Sequence, residues 1–116
     1  MTDKEFFEEY NMEKGTMALP NWDLFKGGII GVTEDRHHIV YSYQKLAETL
    51  ADNYFKDYKD GKYPVKFPDN LSDDEIYHEC YQDAIDWIEV NTIRSLDYED
   101  PEHRPIIVMD IDSDEL

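Results

Sequence analysis

The chain has 116 residues, which is enough for one domain of ordinary size and too few for two. It carries 11 Lys and Arg against 28 Asp and Glu, a formal net charge of −17, and 41% of its residues are hydrophobic. This acidity argues against direct binding to nucleic acid or to an anionic membrane surface, because both need Lys and Arg. The apolar share is too high for a wholly disordered acidic chain, so we expect a small folded core.

The single cysteine, Cys80, excludes an intramolecular disulfide and fits a reducing compartment. The charged N-terminus has no apolar core of the kind that a signal peptide carries. No apolar run approaches the length of about 18 residues that a membrane helix requires. We therefore expect a cytoplasmic protein with one domain over residues 1–116, in which 1–20 form an N-terminal helix and lead-in and 110–116 an acidic tail.

Short elements are predicted in the first third of the chain. Thr2 and Glu5 have the spacing of a capping box, which predicts a short helix over residues 3–13. Two β-branched runs, at residues 29–33 and 38–42, flank a short polar link. This arrangement is typical of a β-hairpin.

Two long helices are predicted after the hairpin. Residues 43–58 place apolar side chains at helical spacing behind Ser42, which can cap the helix. A loop punctuated by Gly and Pro follows over residues 59–70. Ser72 then opens a second capping box, the strongest helix start in the chain, and predicts a helix over residues 73–95.

The last predicted element is a strand over residues 104–110, whose continuous apolar run places it at the centre of a sheet. The element order is therefore helix, two strands, two helices and strand. The simplest packing is an α+β fold, in which a three-stranded sheet (the β-hairpin plus the C-terminal strand) packs against two long helices. The short N-terminal helix docks on this domain through its aromatic residues.

The negative charge is concentrated in the second half of the chain, where residues 69–89 hold eight acids and no Lys or Arg. Acids at i+4 spacing lie about 6 Å apart along a helix. They repel by a few tenths of a kcal/mol per pair, unless a partner's cations neutralise them. A solvated helix face is the alternative interpretation. The predicted partner-binding residues on the second long helix and in the following loop are Glu75, Glu79, Asp83, Asp86, Glu89, Asp97, Glu99 and Asp100.

No pattern of residues predicts an enzyme, a cofactor or a metal site. His37 and His38 are neighbours, so on a strand their side chains point to opposite faces and do not chelate together. The series Asp110-x-Asp112-x-Asp114 resembles the start of a calcium loop, but it lacks the required Gly at the sixth position and Glu at the twelfth.

The cysteine and several aromatic side chains are further candidates for chemistry or for contact with a partner. Cys80 lies on the apolar row of its predicted helix, which favours a small buried hydrophobe over a nucleophile. Most aromatic residues fall at helical core positions. Trp22, Tyr63 and Phe67 lie outside them and are the aromatic residues that we predict as contact residues.

Several segments resemble a family of short proteins from Gram-positive bacteria and their phages. They are IGVTED at residues 30–35, IVYSYxKL at 39–46, DAIDWIEVNTIRSL at 83–96 and PIIV at 105–108. The similarity covers roughly residues 28–108. The resemblance implies a mobile-element origin and a small βα fold, and it carries over no catalytic residues because the family has no established activity.

These features predict a non-enzymatic acidic protein that binds a basic partner through its second long helix and the residues after it. For a phage-borne protein this implies a nucleic-acid (DNA) mimic. Such a mimic inhibits a host nuclease, restriction or CRISPR effector, or transcription factor by occupying its cationic groove. The alternative is a structural or regulatory accessory domain, monomeric or dimeric, whose acids serve only solubility.

Overall fold

The computed structural model describes residues 1–112 and 114, so the predicted acidic tail lies partly outside the described residues. The α-helices are α1 (Asp3–Glu9), α2 (Trp22–Phe25), α3 (Tyr43–Lys59), α4 (Asp73–Ile88) and α5 (Arg94–Leu96). The strands are β1 (Ile29–Val32), β2 (Ile39–Ser42) and β3 (Ile106–Val108). A 3₁₀ turn over Lys26–Gly28 precedes β1, and a π-helical turn over Glu89–Ile93 joins α4 to α5. The predicted α+β architecture is confirmed, with α2 as an additional short helix and α5 at the end of the segment predicted as the second long helix.

The three strands form one mixed sheet in the order β1-β2-β3. Tyr41 of β2 pairs with Ile29 in the antiparallel hairpin and with Ile107 in the parallel pair. The prediction of a central C-terminal strand is wrong, since β2 is central and β3 lies at an edge. The continuous apolar run of β3 reflects side chains that are half-buried. It does not reflect hydrogen bonding along both edges of the strand.

The N-terminal helix α1 is shorter than predicted. Its capping box is confirmed, with the Glu5 backbone N–H donating to Thr2 Oγ1 at 3.2 Å. The helix ends at Glu9 instead of residue 13 because Asn11 adopts a left-handed φ of 52°. A residue in that region ends the regular helical hydrogen bonding, and Asn tolerates it better than most residues.

Both long helices begin where their predicted caps lie. The Lys45 backbone N–H donates to Ser42 Oγ at 3.1 Å, and that of Glu75 donates to Ser72 Oγ at 3.2 Å. The second helix is not uniform to residue 95, because its hydrogen bonding widens to the π type at Glu89–Ile93. Single π turns of this kind occur mostly as local bulges within α-helices.

Helices α3 and α4 run antiparallel and cover the core. At one end Lys59 Nζ lies 2.8 Å from Asp73 Oδ1, and at the other the Tyr43 hydroxyl donates to Glu89 at 2.9 Å. Since both contacts join opposite ends of the two helices, they define the antiparallel direction. The residues with no exposed surface that join the sheet to this helix pair are Ile39, Tyr41, Leu46, Ala47, Ala51, Ala84 and Ile88.

The buried Gly28 gives a first test of this packing. A Cβ at this position would lie 2.5 Å from Leu46 Cδ2 and 2.9 Å from Leu46 Cγ. We expect Gly28→Ala to lower the free energy of unfolding by about 1–3 kcal/mol through overpacking, as measured by urea denaturation. Gly31→Ala is the control, because its Cβ would meet no described atom within 4 Å. Equal losses in the two variants would contradict the close packing of Gly28 on Leu46.

Candidate functional site

The acidic face is built mainly by α4. Glu75, Glu79, Asp83 and Asp86 lie on this helix and Glu89 begins the π turn, and all five side chains are exposed. The opposite side of α4 is buried in the core, so the helix cannot rotate to hide these carboxylates. Glu75 belongs to the capping box, since the backbone N–H of the N-cap serine donates to its Oε1 at 3.2 Å.

Two further acids of this face are held by tyrosine hydroxyls. Tyr63, in the loop before α4, donates to Asp83, and Tyr43, at the start of α3, donates to Glu89 at 2.9 Å. Burial raises the pKa of Tyr43 to about 12, and the bond to Glu89 adds to the shift. Burial and the bond to Asp83 likewise raise the pKa of Tyr63. Both phenols therefore stay protonated at neutral pH and hold the carboxylates in place.

Glu79 and Asp86 are the two acids of this face whose carboxylates accept no hydrogen bond from any described residue. They lie seven residues apart on α4, about 10 Å along the helix axis. No Lys or Arg occurs between residues 69 and 89. Exposed carboxylates without a hydrogen-bond donor among the described residues are the groups on this face most available to a cationic partner.

The three predicted acids after α5 have a different setting. Asp97, Glu99 and Asp100 are all exposed. Asp100 Oδ2 lies 2.7 Å from His103 Nδ1, and Asp100 Oδ1 accepts from the Glu102 backbone N–H at 3.0 Å. The bond with His103 lowers the pKa of the Asp100 carboxyl. Asp100 is therefore engaged within its own loop, while Asp97 and Glu99 form no side-chain hydrogen bond with a described residue.

An exposed tryptophan lies directly after Asp86. Trp87 stacks on Phe25 with ring centroids 6.0 Å apart. It also lines a cavity of about 110 Å³, together with Leu96 and Glu99. The cavity thus links α4 to the acidic loop after α5. Trp87 is not among the predicted contact residues, because its helical position resembles that of the core aromatics.

The aromatic residues predicted as contact residues pack against other residues of the same chain. Tyr63 and Phe67 stack on each other at 5.8 Å between ring centroids, and they pack against Tyr54 and Tyr58 of α3 at 5.7 and 5.6 Å, respectively. Trp22 packs against Phe6 at 5.5 Å, and its indole N–H donates to the Met1 carbonyl at 3.0 Å. Trp22 still lines a second and larger cavity, so it retains a surface for contact.

The histidines meet in a way that their sequence positions do not suggest. The rings of His37 and His38 are 6.4 Å apart, whereas His37 stacks on His103 at 5.2 Å. Asp100, Glu102 and His103 each place one oxygen or nitrogen atom within 4.8 Å of the others, as a metal site would. The direct bond between His103 and Asp100 accounts for this grouping, so it points to no metal.

The lone cysteine is an unreactive core residue. Cys80 has no exposed surface and lies on the apolar row of α4 with Ile76 and Ala84. Burial raises the pKa of its thiol, which disfavours the nucleophilic thiolate. The prediction of a small buried hydrophobe is confirmed.

No helix of the described part of the chain combines the length and the apolar character needed to cross a membrane. The resemblance to short proteins of Gram-positive bacteria and phages stays a prediction. Comparisons of the chain with protein-family models, with curated proteins and with solved structures each found no match.

Proposed function

We propose that this protein is a non-enzymatic binding protein, and that the acidic face of α4 engages a basic surface on a nucleic-acid-binding protein. The observation that carries the proposal is the pair Glu79 and Asp86, which are exposed on one helix face within a segment that lacks Lys and Arg. Such a face attracts cationic surfaces over several ångströms by the summed field of its charges.

The packing of α4 favours this function because it fixes the charges before a partner arrives. The buried row with Ala84 and Ile88 anchors the helix, and the tyrosine hydroxyls hold Asp83 and Glu89 at its flanks. Pre-positioned carboxylates lose little conformational entropy on binding. The repulsion within the face is relieved when Lys or Arg of a partner approaches.

The partner class follows from the same electrostatics. Carboxylates that follow a helix at steps of about 6 Å present a line of negative charge, as a phosphate backbone does. A groove lined with Lys and Arg to hold nucleic acid is complementary to such a line. We therefore propose a nucleic-acid mimic acting on a nuclease, a restriction or CRISPR effector, or a transcription factor.

The test begins with affinity capture from a Gram-positive bacterial lysate, followed by identification of the bound proteins by mass spectrometry. We expect a nucleic-acid-binding protein that duplex DNA displaces and that high salt releases. Glu79→Lys/Asp86→Lys should weaken its binding at least about tenfold. This pair is preferable to one containing Asp83, whose reversal would also break the bond from Tyr63.

Glu8→Lys/Glu9→Lys on α1 is the matched control. Both double variants raise the formal net charge of −17 by four, and Glu8 and Glu9 are exposed like Glu79 and Asp86. The control should bind as the original protein does. Equal weakening by both variants would show that only total charge matters, and unchanged binding of the α4 variant would exclude this face.

A second candidate function, the dimeric accessory domain, is favoured by a different observation. The larger cavity is an open groove of about 460 Å³ with a mainly apolar lining, which includes residues of β1 and no described residue of α4. Exposed apolar grooves of this kind mark sites of association. A complex formed there would survive the high salt that releases a partner of the acidic face.

A further inference from the structure

The apolar groove beside β1, called here the β1 groove, has the features of a site for an extended peptide segment. Its lining includes Phe6 of α1, Tyr10 directly after that helix, Trp22, and the exposed Ile30 of β1. Lys26 lies on its lining and contributes a cationic side chain. The groove therefore combines aromatic contact area with positive charge.

The strand that borders this groove has a free edge. In the described part of the chain β1 pairs with β2 on one side and with no strand on the other. An edge strand presents backbone N–H and C=O groups that can pair with an added strand. The four residues of β1 span about 13 Å, which accommodates an added segment of four residues.

A segment with matching chemistry follows β3 in the same chain. Residues Met109–Asp112, called here the C-terminal arm, belong to no described helix or strand. Met109 is 70% exposed and Ile111 is 72% exposed, and each is followed by an Asp. In an extended chain this alternation places both apolar side chains on one face and both acids on the other.

We propose that the C-terminal arm of one copy occupies the β1 groove of a second copy, and that the two copies exchange arms reciprocally to form a dimer. Met109 and Ile111 enter the apolar groove, and Asp112 at the end of the arm pairs with Lys26, because Asp110 is engaged by Ser42. Lys26 Nζ is held only loosely within its own chain, at 3.7 Å from the exposed Asp23. The proposal does not depend on the function proposed for α4.

The arm is poorly placed to fill the groove of its own chain. It leaves from β3, which lies on the far side of β2 from β1. Asp110 Oδ1 accepts a hydrogen bond from Ser42 Oγ at 2.8 Å, which holds the start of the arm against the end of β2. Two strand spacings, about 10 Å, separate β3 from β1, and so a four-residue arm cannot also lie along β1.

The experiment measures the mass of the full chain by light scattering after size-exclusion chromatography over a dilution series, at low and at high salt. We expect a species of twice 13.8 kDa that persists at high salt. Met109→Ser/Ile111→Ser should raise its dissociation constant by about 10⁴-fold, since the dimer loses two apolar anchors on each of its two arms and each anchor is worth about tenfold. Tyr98→Ser is the control, because Tyr98 is 91% exposed and lies outside both surfaces.

A mixing experiment distinguishes dimerisation by arm exchange from other modes of dimerisation. Ile30→Ser impairs the groove and leaves the arm intact, whereas the arm variant keeps an intact groove. A reciprocal exchange predicts more dimer in an equal mixture of the two variants than in either alone, because one arm-to-groove contact is restored. Circular dichroism of each variant must match that of the original chain.

Three outcomes would overturn the proposal. The original chain could be a monomer at every concentration, the dimer could survive the arm substitutions, or the mass could grow beyond a dimer with concentration. Unchanged partner binding by the α4 charge variant would contradict the proposed function without altering the measured mass of the dimer, so failure of arm exchange and failure of the proposed function are distinguishable.

Discussion

Replacing Ile88 with Ala should lower the free energy of unfolding by about 2–5 kcal/mol. Ile88 has no exposed surface and packs in the core at the last residue of α4, where the helix changes to the π turn. The substitution removes three carbon atoms and leaves a cavity that rigid neighbours fill only in part. Domains of this size have about 5–15 kcal/mol of total stability, and so the loss is a large share.

Val90→Ala is the control for the Ile88 variant. Val90 lies two residues further on in the π turn and is 55% exposed. We expect its substitution to change stability by less than about 0.5 kcal/mol. Urea denaturation followed by far-ultraviolet circular dichroism measures both variants. Similar losses at the two positions would contradict the assignment of Ile88, rather than Val90, to the core.

The protein should lose stability steeply as the pH rises from 10 to about 12. Burial, and then hydrogen bonds to Glu89 and Asp52, raise the pKa values of Tyr43 and Tyr77 from 10 to about 12. Above pH 10 the unfolded chain releases these phenolic protons while the folded chain retains them. The free energy of unfolding therefore falls with pH until the folded-state pKa is passed. Together the two shifts correspond to a loss of about 3–5 kcal/mol in the free energy of unfolding, after allowance for the partial exposure of Tyr77.

Denaturation in urea at a series of alkaline pH values measures this loss, and the tyrosinate absorbance shows which state has ionised. Tyr43→Phe/Tyr77→Phe should flatten the decline, because a phenylalanine has no proton to release. Tyr98→Phe is the control, since that side chain is 91% exposed, and it should leave the slope unchanged. An unaltered decline in the double variant would show that these two phenols do not govern alkaline stability.

The sequence predicts which acids of the α4 face are exposed, but not which of them accept hydrogen bonds. The exposure of Glu79 and Asp86 follows from helical spacing against the buried row, so it could be predicted. The tyrosines that hold Asp83 and Glu89 could not, because they lie 20 and 46 residues away along the chain. No local pattern encodes a contact of that separation. Of the five acids on the α4 face, the structure leaves two, Glu79 and Asp86, whose carboxylates accept no hydrogen bond from a described residue.

The β1 groove could be predicted from the sequence even less than the acidic face. Its aromatic walls come from α1 and α2, and its edge comes from a strand that the sequence marks only as one half of a hairpin. The sequence predicts Met109 within the last strand and Ile111 within the acidic tail. Because β3 ends at Val108, both side chains lie beyond the strand and are exposed.

Helix starts, the β-hairpin, the α+β class and the position of the acidic row were all encoded in short stretches of sequence. Caps such as Ser42 and Ser72 act within four residues, and apolar periodicity acts within one helix. The central place of β2, the π turn after Ile88 and the pairing of tyrosines with acids emerged only from the assembled fold. These features depend on contacts between distant segments, and many pairings of similar energy are compatible with the same local patterns.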